Sequence, residues 1–236
     1  MRKALIFVFG LVLAGFAQTT TSLAPPSQGK IAFISSLERE SETSEIWVMN
    51  PDGTERTQLT FDGTEKGSLE WSPDGTQIVF AAEPVGGGTL DLFVINADGS
   101  GLTRLTDDPA DDSTPAFSPD GSQLCFSSDR DGSGEVYLMT LDGTAVTKLT
   151  DEPGYDAWCD FSPDGSQIAF QSERTGNKDI WVMNRDGSDP RQLTEAPTDD
   201  LFPAWSPDGD WIAYTGIGEA GAGGEIFVVQ SNGTGE

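Results

Sequence analysis

"AFSPDGSQLCF" occupies residues Ala116 to Phe126, and close variants of it recur along the chain. WSPDGTQIVF begins at Trp71, FSPDGSQIAF at Phe161 and WSPDGDWIAY at Trp205. Each copy is a tight-turn tetrapeptide followed by a short apolar run. Proline at the second turn position presets φ, aspartate bonds the backbone ahead of it, and glycine accepts the positive φ that closes a hairpin. A chain that repeats this corner repeats a hairpin, so the tetrapeptide reads as architecture and not as an active site.

The spacing says what the hairpins build. Ile31, Ile78, Leu124, Ile168 and Ile212 stand at equivalent places, 47, 46, 44 and 44 residues apart. A fixed period of that size marks a solenoid, propeller or array. Within the unit that begins at Trp158, short runs at 158–161, 168–171, 180–184 and 191–194 are separated by 162–165, 173–178 and 185–187, which are rich in Gly, Pro, Asp and Asn. That is the hairpin signal, repeated, with little of the helical period. Four antiparallel strands cannot bury two faces alone, but sheets stacked radially around a channel can. The fold expected is therefore all-β: a β-propeller of about five four-stranded antiparallel blades. The repeats run approximately over 29–67, 68–111, 112–155, 156–199 and 200–236, with Trp47, Phe93, Tyr137, Trp181 and Phe227 packing between blades. The first unit has a degenerate first strand around Leu23 to Pro26, and the last stops where its fourth strand should begin. Either the ring closes incompletely or by an N-terminal strand from 18–28, such as Thr19-Thr20-Thr21, or the chain is a truncated or oligomerising form.

The combination LT-x-n-P-x-(W/F)-SPDG-x-x-I-A-(F/Y), followed by I-(W/F)-V-M-N-x-DG, resembles the WD40-like PD40 repeats of TolB-like β-propellers. The resemblance covers about Gly29 to Thr234 and rests on four full SPDG copies. It departs from true WD40 repeats, whose His and Trp-Asp signatures are missing. It implies a periplasmic or secreted, non-enzymatic module that binds a protein partner at the channel face. Members of the TolB type carry an α/β domain ahead of the propeller and usually six blades, whereas five repeats are legible here.

Export is also suggested by the first residues. Arg2 and Lys3 precede an apolar run from Ala4 to Ala17 that ends in Gly15-Phe16-Ala17, the pattern of a signal peptide over 1–17. The 13 Lys and Arg against 39 Asp and Glu leave a formal charge of −26. Such a surface repels nucleic acid and anionic lipid and excludes both as partners. No histidine is present, which removes Ser-His-Asp and Cys-His nucleophile systems and His-ligated zinc. No cofactor is expected. Cys125 and Cys159 suit an oxidising compartment. A bridge between them is one reading; two separately buried thiols are favoured over it, because each lies in an apolar strand pattern.

Chemistry has few places to sit. Asp112, Asp156 and Asp200 each precede the turn serine by six residues, with Lys66 breaking the series, and Trp158 and Phe202 follow two residues after the acids. Acids and aromatics at one mouth of the channel make these five residues the candidates for partner binding. The same aspartates would equally serve as caps on the loops entering their strands. Asp129, Asp131 and Glu135 alternate around a glycine like a calcium loop, but the distal bidentate Glu is missing and an ordinary polar turn is the better reading. The alternative function is a carboxylate-based glycoside hydrolase or glycan-binding propeller, with Asp112, Asp156 and Asp200 as first suspects.

Overall fold

The computed structural model describes residues 29–35, 43–218 and 224–234. The signal-like segment 1–17 and the stretch 18–28 lie outside the described residues. Eighteen strands and no helix are found among the described residues. They form five antiparallel sheets arranged as the five blades of a β-propeller. Blade 1 comprises β1 (Ile31–Ser35), β2 (Glu45–Met49) and β3 (Thr57–Gln58). Blade 2 runs from β4 (Lys66–Trp71) through β5 (Gln77–Ala82) and β6 (Asp91–Asn96) to β7 (Thr103–Arg104). Blade 3 is β8 (Asp112–Phe117), β9 (Gln123–Ser128), β10 (Glu135–Thr140) and β11 (Val146–Lys148). Blade 4 repeats it with β12 (Asp156–Phe161), β13 (Gln167–Ser172), β14 (Asp179–Asn184) and β15 (Arg191–Gln192). Blade 5 has β16 (Asp200–Trp205), β17 (Trp211–Ile217) and β18 (Gly224–Gln230). The middle three blades thus have the four strands expected, and each terminal blade has three among the described residues.

The repeated turn works as its residues require, and the serine does more than its place in the turn suggests. The N–H of Gly75, Gly121, Gly165 and Gly209 donates to the carbonyl of the serine three residues earlier, at 2.8–2.9 Å. These glycines have φ of 66–77°, the left-handed region. Each serine hydroxyl donates to the turn aspartate, as Ser118 does to Asp120 at 2.7 Å. The same oxygen accepts the N–H of the residue that opens the second strand, Gln123 at 3.0 Å. The aspartate in turn accepts the N–H two residues on, Ser122 at 2.9 Å. These donors hold the Asp164 carboxyl down at about 2, with the Ser162 hydroxyl the largest influence.

The LT word that closes each unit is equally mechanical. Leu59, Leu105, Leu149 and Leu193 donate their N–H groups to Ile46, Leu92, Val136 and Ile180 on the third strand, at 2.7–2.8 Å. The next threonine then accepts the N–H of that same third-strand residue, as Thr150 does from Val136 at 2.9 Å. Thr150 also donates to the buried Glu135 that opens β10, at 2.6 Å. A fourth strand of two or three residues is thereby fixed without a long ladder.

Between blades the packing follows one rule. The second and third strands of each blade send one set of apolar side chains forward and the other set back. Ala32, Ile46 and Val48 of blade 1 meet Ile78, Phe80 and Ile95 of blade 2. Val79, Ala81 and Leu92 then meet Phe117, Leu124, Phe126 and Met139 of blade 3. Ala169, Ile180 and Val182 of blade 4 meet Ile212, Tyr214 and Val229 of blade 5. Each fully buried Ile, Val or Phe contributes about 1.5–3 kcal/mol by leaving water. Of the third-strand aromatics, Phe93, Tyr137 and Trp181 pack in these inter-blade clusters as expected. Phe93 and Tyr137 also stack on Phe80 and Phe126, their partners across the hairpin, at 5.7 and 5.6 Å. Phe227 departs from the expectation, for it is exposed.

The same rule corrects the reading of the cysteines. They are not separate thiols but a disulfide, with Cα atoms 6.2 Å apart. An apolar strand face in this fold is an inter-blade face. Cys125 on β9 and Cys159 on β12 therefore meet in the seam between blades 3 and 4, beside Ala116, Val136, Phe161 and Ile168.

Candidate functional site at the channel mouth

Asp112, Asp156 and Asp200 open the first strands of blades 3, 4 and 5, and all three are buried. Burial of a carboxylate demands a partner, and two of them have an arginine from the end of the second strand. Arg130 Nη2 donates to both oxygens of Asp112, at 2.8 and 3.0 Å. Arg174 Nη2 donates to Asp156 at 2.6 Å. Each guanidinium also bonds the serine two residues before it, Ser128 at 2.9 Å and Ser172 at 2.7 Å. Each lies over two rings: Phe126 and Tyr137 for Arg130, Phe170 and Trp181 for Arg174. The sequence signal for this arrangement is Ser-x-Arg eighteen residues after the acid, and it fails in blade 5, where Gly216 and Gly218 stand instead. In blade 2 the sign is reversed. Lys66 is buried there and pairs with Asp62, with Glu45 3.8 Å away.

Every first strand also carries a bulge two to three residues past this charge, seen as a register shift in its pairing with the second strand. In blades 3, 4 and 5 the bulged residue is Thr114, Trp158 or Phe202, with φ of 50°, 56° and 57°. A left-handed backbone costs a non-glycine residue about 1–2 kcal/mol, so something must hold it. The preceding blade does: Thr114 N–H donates to Ser68 Oγ at 3.0 Å, Trp158 N–H to Ser127 Oγ at 3.3 Å, and Phe202 N–H to Gln171 Oε1 at 3.3 Å. The outcome is that Trp158 and Phe202, half-buried, meet edge to face with ring centroids 4.6 Å apart. The structure thus brings the two aromatics together and holds Asp112 and Asp156 in ion pairs with Arg130 and Arg174.

Two further carboxylates were missed by sequence reasoning. Glu70 and Asp160 stand two residues before the turn serine in blades 2 and 4, where blades 3 and 5 have Ala116 and Ala204. Glu70 Oε2 accepts the N–H of Phe117 in blade 3 at 2.6 Å, and Asp160 Oδ2 accepts that of Trp205 in blade 5 at 2.6 Å. Burial pushes the Glu70 carboxyl up to about 8, helped by the negative charge of Asp160. Burial also raises Asp160, to about 6, against the pull of its backbone donors. The only signal in the sequence was an acid at alternate copies of one position.

Of Asp129, Asp131 and Glu135, the last two converge on the Lys148 ammonium, at 3.5 and 3.4 Å, and Asp129 stands apart from it. Asp129 accepts the N–H of Asp111 at 2.8 Å, Asp131 accepts the hydroxyl of Tyr137 at 2.6 Å, and Glu135 lies between Thr150 and Lys148. Among the described residues no group of three or more acids or cysteines is arranged to hold a metal ion.

The loops entering the first strands lie beside the hairpins that join second to third strands. Glu83 N–H donates to the Glu65 carbonyl at 3.1 Å, and Glu173 N–H to that of Tyr155 at 3.1 Å. This end of the propeller carries Phe61, Val85 and Tyr155 exposed to solvent, among Asp107, Asp108, Asp111, Asp151, Glu152 and Glu195. Among the described residues no helix is long and apolar enough to cross a membrane.

Comparison with known proteins agrees with this architecture. The chain is 26% identical to TolB from Acinetobacter baumannii over 88% of its own length and 50% of that protein's, with a TM-score of 0.73. With a protein assigned as TolB from Agrobacterium tumefaciens it shares 24% identity and a TM-score of 0.67, over 87% of this chain and 72% of that one. A puromycin hydrolase, at 15% identity and a TM-score of 0.68 over 86% of this chain and 34% of that one, shares the fold. The chain therefore spans half the length of the Acinetobacter TolB. No curated protein matches it. The sequence pattern of the TolB beta propeller domain, PD40, matches residues 19–160 and 152–235. The five blades, their repeated turn and this match together make the chain a member of the TolB β-propeller domain family.

Proposed function

We propose that this chain is an exported, non-enzymatic propeller that binds a protein partner at the channel-mouth end. The observation that carries the reading is the Trp158–Phe202 pair, two aromatics held edge to face on left-handed backbone. Aromatic anchors with an acidic rim suit a basic protein: the rings supply buried contact and the rim steers the approach. In this reading Asp112, Asp156 and Asp200 shape the mouth, and Phe61, Val85 and Tyr155 widen the contact surface. The Cys125–Cys159 bridge favours the periplasm or the outside of the cell over a reducing cytosol.

The test is capture of a partner from envelope extract on immobilised protein, followed by binding measurements with the identified protein. Trp158→Ala with Phe202→Ala is expected to weaken binding at least about tenfold, the scale of a lost aromatic anchor. Binding should also fall as salt rises. Unchanged affinity in the double variant would remove the mouth from the interface.

A second reading, a carboxylate glycoside hydrolase, draws on Glu70. A carboxyl lifted to about 8 is protonated at neutral pH and is the kind of group that donates a proton to a leaving oxygen. Oligosaccharide hydrolysis abolished by Glu70→Gln and Asp160→Asn would establish this reading; no turnover of neutral or acidic glycans would end it.

A further inference from the structure

The bridge between Cys125 and Cys159 lies beside the aromatic pair, and the repeat shows what stands in its place elsewhere. Cys159 directly follows Trp158, the bulged residue of β12. In β8 and β16 the bulged Thr114 and Phe202 are followed by proline, Pro115 and Pro203. In β4 the equivalent pair is Ser68 and Leu69. The backbone divides these four strands in the same way. Thr114, Trp158 and Phe202 are left-handed, with φ of 50°, 56° and 57°, whereas Ser68 is not. Where a proline or the bridged cysteine follows, the chain takes the costly conformation; where a leucine follows, it does not.

Proline acts here for a plain steric reason. Its ring disfavours the right-handed helical region for the residue before it, and it has no N–H to lose at a bulge. Cysteine has neither property. A disulfide supplies a restraint through the side chain instead, because it accepts only a narrow range of Cα separations and directions. The restraint comes from β9, the strand that also holds the Trp158 backbone. Ser127 Oγ accepts the Trp158 N–H at 3.3 Å, and Cys125 lies two residues before Ser127 on the same face of that strand. In the next seam the N–H bond is kept, from Phe202 to Gln171 Oε1 at 3.3 Å, but the counterparts of Cys125 and Cys159 are Ala169 and Pro203. On the other side of Cys159, Asp160 accepts the Trp205 N–H of blade 5 at 2.6 Å. Residues 158–160 are thus tied to blade 3 by a hydrogen bond and a covalent bond, and to blade 5 by a second hydrogen bond.

We propose that the Cys125–Cys159 bridge is a positioning device for Trp158. It holds the left-handed bulge of blade 4 as Pro115 and Pro203 hold those of blades 3 and 5, and so sets Trp158 edge to face with Phe202. Both cysteines are buried, so the restraint is built into the folded chain and is not a switch. The ring pair is in place before any partner arrives, which lowers the cost of ordering it on binding. That a partner meets this pair rests on the function proposed above; the positioning itself does not.

The test is fluorine NMR of the full chain labelled with 5-fluorotryptophan and free of any partner, with the Trp158 signal assigned by Trp158→Phe. Phe202→Leu gives the position of that signal without the neighbouring ring. Cys125→Ala with Cys159→Ala is expected to move the Trp158 signal at least about half of the way to that position. Cys125→Ala with Cys159→Pro should bring it back, although that variant has no bridge either. A Trp158 signal that stays in its native position in the alanine pair would overturn the proposal and leave the bridge a stabiliser of the seam alone. A proline variant shifted as far as the alanine pair would overturn it as well. The converse exchange keeps the native bridge and does not depend on the alanine pair folding. Pro203→Ala should shift the Trp158 signal from the Phe202 side, and Ala169→Cys with Pro203→Cys should form a second bridge and restore it. A second cysteine pair that stays unbridged in the oxidised chain, or that bridges without restoring the signal, would also overturn the proposal.

Discussion

Blade 4 and blade 5 carry almost the same words on their third strands, Asp-Ile-Trp-Val-Met and Glu-Ile-Phe-Val-Val, and have very different surroundings. Ile180 and Val182 are pressed against Ile212, Tyr214 and Val229 of the next blade. Ile226 and Val228 face solvent. The comparison teaches that the apolar pattern of a propeller strand states what the strand can bury, while its neighbour decides what is buried. It also separates local from inter-blade stabilisation within a single chain. The largest effect should come from breaking the buried member of the pair. Ile180→Ala is expected to lower unfolding stability by about 2–5 kcal/mol, whereas Ile226→Ala should cost less than about 1 kcal/mol. Equal losses in denaturant titrations would show that the leading face of blade 5 is covered in solution.

The seam between blades 3 and 4 differs from the other three in holding a covalent bond. Closing a loop between cysteines 34 residues apart is expected to contribute about 4 kcal/mol, so Cys125→Ala with Cys159→Ala should lower the melting temperature by roughly 8–16 °C. Reducing agent should do the same to the native chain only when it is unfolded, because Cys125 and Cys159 are buried. A double variant that melts with the parent would mean that apolar packing alone fixes that seam.

How much of this was legible beforehand follows from the physics of the repeat. The turn Ser-Pro-Asp-Gly and the LT word are local devices whose bonds close within a few residues or one hairpin, so their sequence pattern is their structure. The strand count of each blade could be read for the same reason. The disulfide was not legible, because its two cysteines meet across a seam that no local pattern encodes. Glu70 and Asp160 escaped for a related reason: each bonds a backbone N–H in the following blade, and their alternation with Ala116 and Ala204 looks like ordinary variation within a repeat. The ion pairs of Asp112 and Asp156 escaped as well, because Arg130 and Arg174 lie eighteen residues on, past the end of a different strand, which only the fold brings near.

A smaller effect should separate the turns of inner and outer blades. Ser118 is fully buried, while Ser206 in blade 5 is more open. Both hydroxyls link the turn aspartate to the start of the next strand, at 2.5–3.0 Å. Ser118→Ala is expected to cost about 1–3 kcal/mol, because the Gln123 N–H loses its acceptor in a buried setting, and Ser206→Ala about 0.5–1 kcal/mol, because water can replace the hydroxyl. If the two losses are the same, the turn acts independently of its neighbours and the contrast between blades is confined to the apolar faces.

The smallest expected effect is on pH dependence, and it tests whether the carboxylates that tie blade 2 to blade 3 and blade 4 to blade 5 are held protonated. Glu70 is raised from an ordinary value near 4.5 to about 8, and Asp160 from 3.8 to about 6, in both cases by burial first. Between its unfolded and folded values such a group binds more protons in the folded state, so its contribution is complete below the lower value and is lost as pH rises through the higher one. The turn aspartates act oppositely: hydrogen bonds lower Asp74, Asp164 and Asp208, and their contribution is lost as pH falls below their ordinary range. Stability should therefore peak between these windows, near pH 5, and decline toward pH 8–9. Glu70→Gln keeps an acceptor for the Phe117 N–H without a charge, and it should flatten the alkaline decline by a few degrees while leaving the acid limb in place. Glu70→Gln with an unaltered alkaline limb would show that the Glu70 carboxylate is ionised in the folded ring, reached by water through the channel, and that the inter-blade bond it makes to Phe117 is a charged one.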